Sequence, residues 1–548
     1  MIKGYITALR REFSGYSPRT FTKDLLAGIT VAAVALPLAL AFGVSSGADA
    51  AAGLITAIIG GLVIGIFSGG SYQISGPTGA MAAILVPIVL KQGLQGVFIA
   101  CLLSGVLLLL CGVFKLGGLI SFIPSPVITG FTSGIAIIIA LGQVDNLTGL
   151  SSEGESAFMK LISYFTHPQS LDYVSFALGG AVILFMVLYP KRLNAYFPGS
   201  LAALILITAV KMLFSLDVTA VGEIPRALML DNRLTLSQIS LPQISGLLAP
   251  AVSIAALGLI ESLLCGASAG RMKNERLDAN RELVAQGIGN ILLPFFGGVP
   301  ATAAIARTSV GIKSGGQTRL TGIIHTLMLL ASMFLLAPVM SQVPLAALSG
   351  VLMVTAWRMN EWSEIKSIFR RRIKTAIAQF LITMAATVVF DLTLAILSGV
   401  VFSFIIFVVR ISNIDITVSN VENDRLKEHE RCPRHADTSV AYITGPLYFG
   451  SAGKLEQKLG QCGDKDSVII SMRGVPLADI SGVQALDELC KRLAESGTAV
   501  YFACVQPGVA QMFERCGLTQ SVGAERFFWS TDKALAYIAA QDTGCETI

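Results

Sequence analysis

Charge is scarce in this chain. Only 14% of its 548 residues are Asp, Glu, Lys or Arg, where an ordinary soluble domain carries about a quarter. Hydrophobic residues make up 53%, and mean hydropathy is +0.70. A water-soluble fold cannot hide that much apolar surface, so the composition specifies a membrane protein with many spans. Other absences narrow the function. No basic stripe interleaved with aromatics is present, so nucleic acid is not expected as a partner. No nucleophile–base motif or metal constellation is present, so neither an enzyme, a cofactor nor a metal is expected. Residues 1–23 are polar and basic without an apolar h-region, so no cleavable signal peptide is expected.

Cysteine is present in an odd number, nine. Cys101, Cys111 and Cys265 lie in apolar runs and read as small hydrophobes. The six from Cys432 to Cys545 lie in a polar tail, which is expected to be cytoplasmic and reduced. His429, Cys432 and His435 match no standard zinc spacing.

Fourteen apolar runs are present. They fall near 24–44, 51–67, 77–90, 94–114, 124–144, 173–189 and 197–214, then 247–270, 283–296, 300–312, 320–340, 345–359, 376–390 and 392–409. The runs at 77 and 300 are too short for a full crossing, which takes about twenty residues. Both open with Gly and Pro followed by small residues, Ser75-Gly76-Pro77-Thr78-Gly79-Ala80 and Gly298-Val299-Pro300-Ala301-Thr302-Ala303. Their prolines are 223 positions apart, and the same offset carries Asp24 onto Leu247. The chain therefore reads as two copies of a seven-span unit, about 24–216 and 246–412. An odd span count forces the copies into opposite orientations. Basic clusters at Lys3–Lys23, Lys191–Arg192, Arg271–Arg281 and Arg370–Lys374 fall on one side, which should be cytoplasmic. Trp357 and Trp362 read as interfacial aromatics, and Asp145, Lys91 and Asp391 as solvated span ends.

Residues 413–437 read as a linker and 438–548 as a small α/β domain. Short strands are expected at 442–445, 467–472 and 500–503, and helices at 452–459, 483–495 and 508–516.

Glu261 is the only charged side chain in the run 247–270. A carboxyl at that depth costs a few kcal/mol and needs a partner, an ion, a proton or water. It either serves transport or is a protonated group bonded to a neighbouring helix. Arg307, two turns into the tenth run, carries the same cost; it is a fixed attracting charge or a structural partner. His325 reads as a proton relay or as a donor to a helix-end carbonyl. Paired interrupted helices point to a transporter's binding site. Helix N-termini attract anions, so the amides of Thr78, Gly79, Ala80, Thr302, Ala303 and Ala304 are the expected donors.

Several stretches make the chain similar to the sulfate permease family. They are Leu36-Pro37-Leu38-Ala39-Leu40-Ala41-Phe42-Gly43, Gln73 to Ala80, Gly258-Leu259-Ile260-Glu261-Ser262-Leu263-Leu264, Asn280 to Gly287, and Phe296 through Arg307. The tail resembles a STAS domain at Gly445-Pro446-Leu447-Tyr448-Phe449-Gly450 and Asp479-Ile480-Ser481-Gly482. The resemblance implies an α-helical polytopic fold, fourteen spans in seven-plus-seven inverted repeats with core and gate domains. It also implies a dimeric, elevator-type carrier of sulfate, bicarbonate or C4-dicarboxylate, coupled to H+ or Na+. The site would lie between the third and tenth spans, with Phe42 and Glu261 beside it and Thr302 shared with a coupling ion. Leu38 stands where many relatives have Gln. Ser481 occupies a position phosphorylated in soluble STAS proteins, or simply caps a helix from Val483. A passive channel of the same fold, a membrane-tethered regulator with a cytosolic STAS partner and a nucleobase carrier are the other readings.

Overall fold

The computed structural model describes residues 2–118, 123–150, 152, 157–166, 171–194, 197–235, 241–390, 398–399, 401–402, 404–406, 408–409, 414–422, 435 and 437–541. The chain divides into two compact units, Met1–Ser403 and Phe404–Ile548.

The first unit is helical because its apolar runs have no other way to satisfy their backbones in hydrocarbon. Span one is Pro18–Ser45, started by the Ser17 side chain, which accepts from the Thr20 N–H. Span two is Ala50–Phe67 and carries a π-helical turn over Thr56–Gly60. Gly79–Val113 holds spans three and four, divided where Gly93 takes φ 66° and ψ −173°. Ser125–Gly142, Tyr173–Leu188 and Gly199–Leu213 complete the first half. The second half runs Leu241–Lys273, Ala279–Phe296, Ile305–Lys313, Leu320–Met340, Leu345–Met359 and Lys374–Val389. Half of the expected span 392–409 falls outside the described residues, as do Asp391, His429 and Cys432. Asp145 is more than solvated, since Ser152 Oγ donates to it at 2.6 Å and Tyr164 Oη at 2.8 Å.

Element by element, the halves correspond. Pro18 and Leu241, which open spans one and eight, are 223 positions apart. Gly79 and Ile305, which open the two short helices, are 226 apart. The second copy spends three more residues before its short helix, so Ala303 is not the counterpart of Gly79.

Those residues form a strand. β1 (Ser75–Gly76) pairs antiparallel with β2 (Thr302–Ala303), Ser75 opposite Ala303 and Gly76 opposite Thr302. Non-helical backbone at membrane depth survives only when other groups satisfy it. Here the accounting closes almost entirely on protein. Ala304 N–H donates to Ile74 O at 3.0 Å, and Ile74 N–H to Thr308 Oγ1 at 3.1 Å. Val299 N–H donates to Thr56 Oγ1 at 2.8 Å, at the π-turn of span two. Span nine supplies a polar spine of Glu282, Gln286 and Asn290, at i, i+4 and i+8, all buried. Glu282 accepts from Ser68 Oγ at 2.7 Å and Gly69 N–H at 2.9 Å. Gln286 Nε2 donates to Ser75 Oγ at 3.0 Å. Asn290 holds both backbone groups of Ala301, accepting from its N–H at 2.7 Å and donating to its C=O at 3.0 Å.

One end of this bundle is bolted to the segment before span one. Glu12 accepts from the Arg319 backbone N–H at 2.7 Å and from its Nη2 at 2.8 Å. Asp24, fully buried, accepts from Gln317 N–H at 2.6 Å, Thr318 Oγ1 at 2.6 Å and Thr321 Oγ1 at 2.9 Å.

The second unit is a five-stranded sheet ordered β3 (Asp415–Asn420), β4 (Thr438–Thr444), β5 (Ser467–Gly474), β6 (Ala499–Ala503) and β7 (Phe527–Phe528). β3 and β4 are antiparallel and the remaining pairs parallel. Alternation along β5 sends Val468, Ile470 and Met472 to one apolar layer and Ile469 to another. Helices Ala452–Leu459, Ile480–Glu495 and Pro507–Arg515 pack on the first layer and Thr531–Ala540 on the second. The expected linker 413–437 therefore contains a strand, whose alternation is too short and polar to stand out.

Replacing Asn290 with Ala strips both partners from Ala301. Each buried orphan costs about 1–3 kcal/mol. The variant is expected to reach the membrane but melt at least several degrees below the parent in a detergent thermal-shift assay. An unchanged melting temperature would remove Asn290 from the support of the break.

Candidate functional site

The two breaks bring one end of each short helix together. In the first, Thr78 is the N-cap, and its Oγ1 accepts from Met81 N–H at 3.3 Å. Gly79 and Ala80 follow with buried positions. In the second, Ala304 is the N-cap and offers no side-chain oxygen. Its first-turn residues, Ile305 and Ala306, are exposed. Both helices thus end at the same crossing with N–H groups that their own carbonyls cannot reach.

Glu261 meets this crossing from span eight. Thr78 Oγ1 donates to Glu261 Oε2 at 2.9 Å. The hydroxyl proton therefore points at the carboxylate while its lone pair takes the Met81 amide. The neighbouring Ser262 Oγ lies 2.9 Å from Thr302 Oγ1 and accepts from Ala303 N–H at 3.3 Å. Adjacent residues of one helix thereby touch both breaks.

Arg307 is buried to 1% exposure and its guanidinium turns under the first break. Its Nη2 donates to the Pro77 carbonyl. Nε and Nη1 meet no hydrogen-bond acceptor among the described residues. A Cβ on Gly76 would collide with Nη1, so glycine there is a condition of the arginine's position. No ion pair within 4 Å joins Arg307 to Glu261 among the described residues; the arginine's direct partner is backbone. His325 is fully buried on span eleven.

Most of the expected site residues are brought together, with two changes of role. Phe42 packs where the resemblance puts it: a Cβ on Gly79 would lie 3.0 Å from its ring. Thr78, Gly79, Ala80, Thr302 and Arg307 all lie at the crossing. Ala303 and Ala304 also lie there, but their N–H groups are spent on Ser262 Oγ and Ile74 O. The second helix's free-end amides instead belong to Ile305, Ala306 and Arg307. The expectation rested on aligning the prolines, and β2 displaces the helix start beyond them.

Ile139 of span five was not expected. Its Cγ1 would lie 3.2 Å from a Gly79 Cβ, so it crowds the same position as the Phe42 ring. Nothing distinguishes this isoleucine within its apolar run. The span-nine spine was also missed as a support, although a polar i, i+4, i+8 row in an apolar span is a visible signal. In the second unit Asp479 caps the helix, accepting from Gly482 N–H at 2.7 Å. Ser481 is therefore an exposed first-turn residue rather than the cap.

Residues 21–387 match the sulfate permease family and 427–534 the STAS domain. A protein named "Putative sulfate transporter YvdB" from Bacillus subtilis is 36% identical over 528 residues, covering 94% of this chain and 98% of the relative. The bicarbonate transporter BicA of Picosynechococcus is 28% identical over 540 residues, 94% of each chain. The solved transmembrane domain of a cyanobacterial BicA superposes with a TM-score of 0.63 at 30% identity, over 71% of this chain and 98% of that one. SLC26A9 has the same fold, with a TM-score of 0.84 at 17% identity over 96% and 92%. The chain is a multi-pass membrane protein that belongs to the sulfate permease family of anion transporters and carries a C-terminal STAS domain.

Proposed function

We propose that the chain is a secondary active transporter of a small anion of the sulfate or C4-dicarboxylate class, working as an H+-coupled symporter. One observation carries this reading: Thr78 joins the Glu261 carboxylate to the first turn of the first short helix. An anion at the crossing would meet the N–H groups of Gly79 and Ala80 and of Ile305 and Ala306, with the Thr78 and Thr302 hydroxyls beside them. Arg307 supplies a positive charge behind that backbone, in surroundings of low dielectric where charge acts over longer range. A proton on Glu261 would cancel the negative charge nearest the anion. Binding of the two is thereby linked, which is what symport needs. Phe42 and Ile139 close the site from spans one and five. We place the basic span ends and the STAS domain in the cytoplasm of a cell with the transporter in its plasma or inner membrane, as a homodimer whose core moves against its gate. The STAS domain would take a cytosolic partner, with Ser481 open to phosphorylation.

A second reading, Na+-coupled bicarbonate transport, is favoured by the likeness to BicA and by the Thr302 hydroxyl, 2.9 Å from that of Ser262, the residue next to Glu261. Uptake of labelled sulfate, succinate and bicarbonate into proteoliposomes under imposed H+ or Na+ gradients separates the two. Sulfate or succinate accumulation that follows the H+ gradient supports symport. Accumulation of none of them under either gradient, with equilibrating flux alone, makes the protein a channel.

Glu261→Gln keeps an acceptor for Thr78 but cannot take up a proton. Gradient-driven accumulation is expected to disappear while substrate–substrate exchange persists. Parental accumulation in the Gln variant would take coupling away from Glu261.

Arg307→Ala is expected to raise the substrate Kd at least about tenfold, a change of about 1.4 kcal/mol, measured by calorimetry on purified protein. Arg307→Lys should recover part of the affinity, because it restores charge without the planar donors. An unchanged Kd in the Ala variant would leave Arg307 a support for Pro77 alone.

Removing Ile414–Ile548, which spares the expected span 392–409 and takes the whole sheet from β3 onward, is expected to leave substrate binding within about threefold of the full chain, since every residue of the crossing precedes it. A cut at Thr438 is a poorer test, because it strands β3 without β4. Loss of binding in a monodisperse truncation ending at Asn413 would give the second unit a part in the site.

A further inference from the structure

A second cavity-forming feature lies away from the crossing. Spans five, twelve and thirteen and the short helix Trp362–Arg370 line an open cavity of about 300 Å3. Its walls are apolar: Ala136 and Ala140 of span five, Met353 and Trp357 of span twelve, Trp362, and Met384 of span thirteen. The two indoles contact each other with ring centroids 4.5 Å apart, and Trp362 Nε1 donates to the Trp357 carbonyl at 3.1 Å. Both rings remain open, Trp357 at 65% exposure. Paired, exposed tryptophans mark the level of the lipid headgroups.

The turn that leads into span thirteen, just beyond the cavity's lining, is strongly basic. Helix Trp362–Arg370 turns into span thirteen through Arg370, Arg371 and Arg372, with Lys374 opening the span. All four are exposed, and none makes an ion pair among the described residues. Lys374 lies six residues from Phe380 of the cavity wall, about 9 Å along the helix. Phe369 links the turn to the cavity wall by packing its ring edge-on against Phe380 at 5.8 Å. The acidic residues of this helix, Glu361 and Glu364, sit at its opposite end beside the tryptophans.

The geometry points to a site for one anionic phospholipid, an acyl chain in the cavity and the phosphate on the Arg370–Lys374 turn. An apolar slot alone would accept any chain. The cationic turn within a headgroup's reach of the slot selects the negatively charged lipid.

The chain's three tryptophans give a direct reading, because Trp357 and Trp362 line the cavity and Trp529 lies in the second unit. In a Trp529→Phe background, fluorescence quenching is measured in bilayers doped with phosphatidylglycerol or phosphatidylcholine brominated on the acyl chains. Half-maximal quenching is expected at a mole fraction at least about threefold lower for the anionic lipid. Arg371→Gln with Arg372→Gln should bring the two lipids to the same mole fraction. Ala136→Phe, which fills the slot, should abolish the preference and leave only the quenching common to both lipids. Equal mole fractions in the Trp529→Phe parent would overturn the site. So would a preference that survives the double Gln variant, or complete protection from both lipids, which would mean that a second copy of the chain covers this face.

Discussion

Everything at the crossing depends on one constraint: no backbone N–H or C=O can be left bare at membrane depth. Breaking two helices there exposes many such groups at once. The chain answers with a two-residue β-ladder and a ring of polar side chains around it. Thr56, Ser262, Gln286, Asn290 and Thr308 each hold backbone or side-chain atoms of a break. They come from spans two, eight, nine and ten. The consequence is that the two repeats cannot separate at the crossing without orphaning buried groups on both. The first-turn amides at the two helix ends are left outside that network.

The same constraint explains where charge is tolerated. Four buried or half-buried charges of the first unit, Asp24, Glu261, Glu282 and Arg307, each bind backbone or a hydroxyl rather than one another. Asp24 gathers the turn before span eleven, Glu282 the turn after span two, and Arg307 the Pro77 carbonyl. Breaking an arrangement of this type strands a desolvated ion, which is why such groups lock a fold even where they add little net stability. Glu261 differs from the other three. Among the described residues its one hydrogen-bond partner is a hydroxyl, and it stays partly open. A carboxyl with spare lone pairs beside two helix ends is suited to exchange a proton or a cation, where Glu282 is already saturated.

Close packing at the first helix end needs no polar atoms. Phe42 and Ile139 press on Gly79 from spans one and five, and any side chain there would meet them. Gly79 is needed for that closeness, as Gly76 is needed for Arg307. Small residues in this region are therefore not merely packing aids; they set how near a ring and a guanidinium come to the helix end.

The amino-acid sequence alone determined the class of the protein, its repeat, its α/β tail and most residues of the crossing. Those features rest on hydropathy, on a proline offset and on a lone carboxyl, all of which are local. Tertiary structure decided the rest. The helix after Pro300 begins at Ile305 because β2 must first pair with β1, and pairing between residues more than two hundred positions apart leaves no local trace. For the same reason the amides of Ala303 and Ala304 are taken and those of Ile305 and Ala306 are not. Arg307 turns to Pro77 rather than to Glu261 because the guanidinium fits under Gly76, a contact across two spans. Ile139 and the first strand of the tail were invisible for a simpler reason. An isoleucine in an apolar run and a polar strand in a linker look like their neighbours until packing gives each a partner.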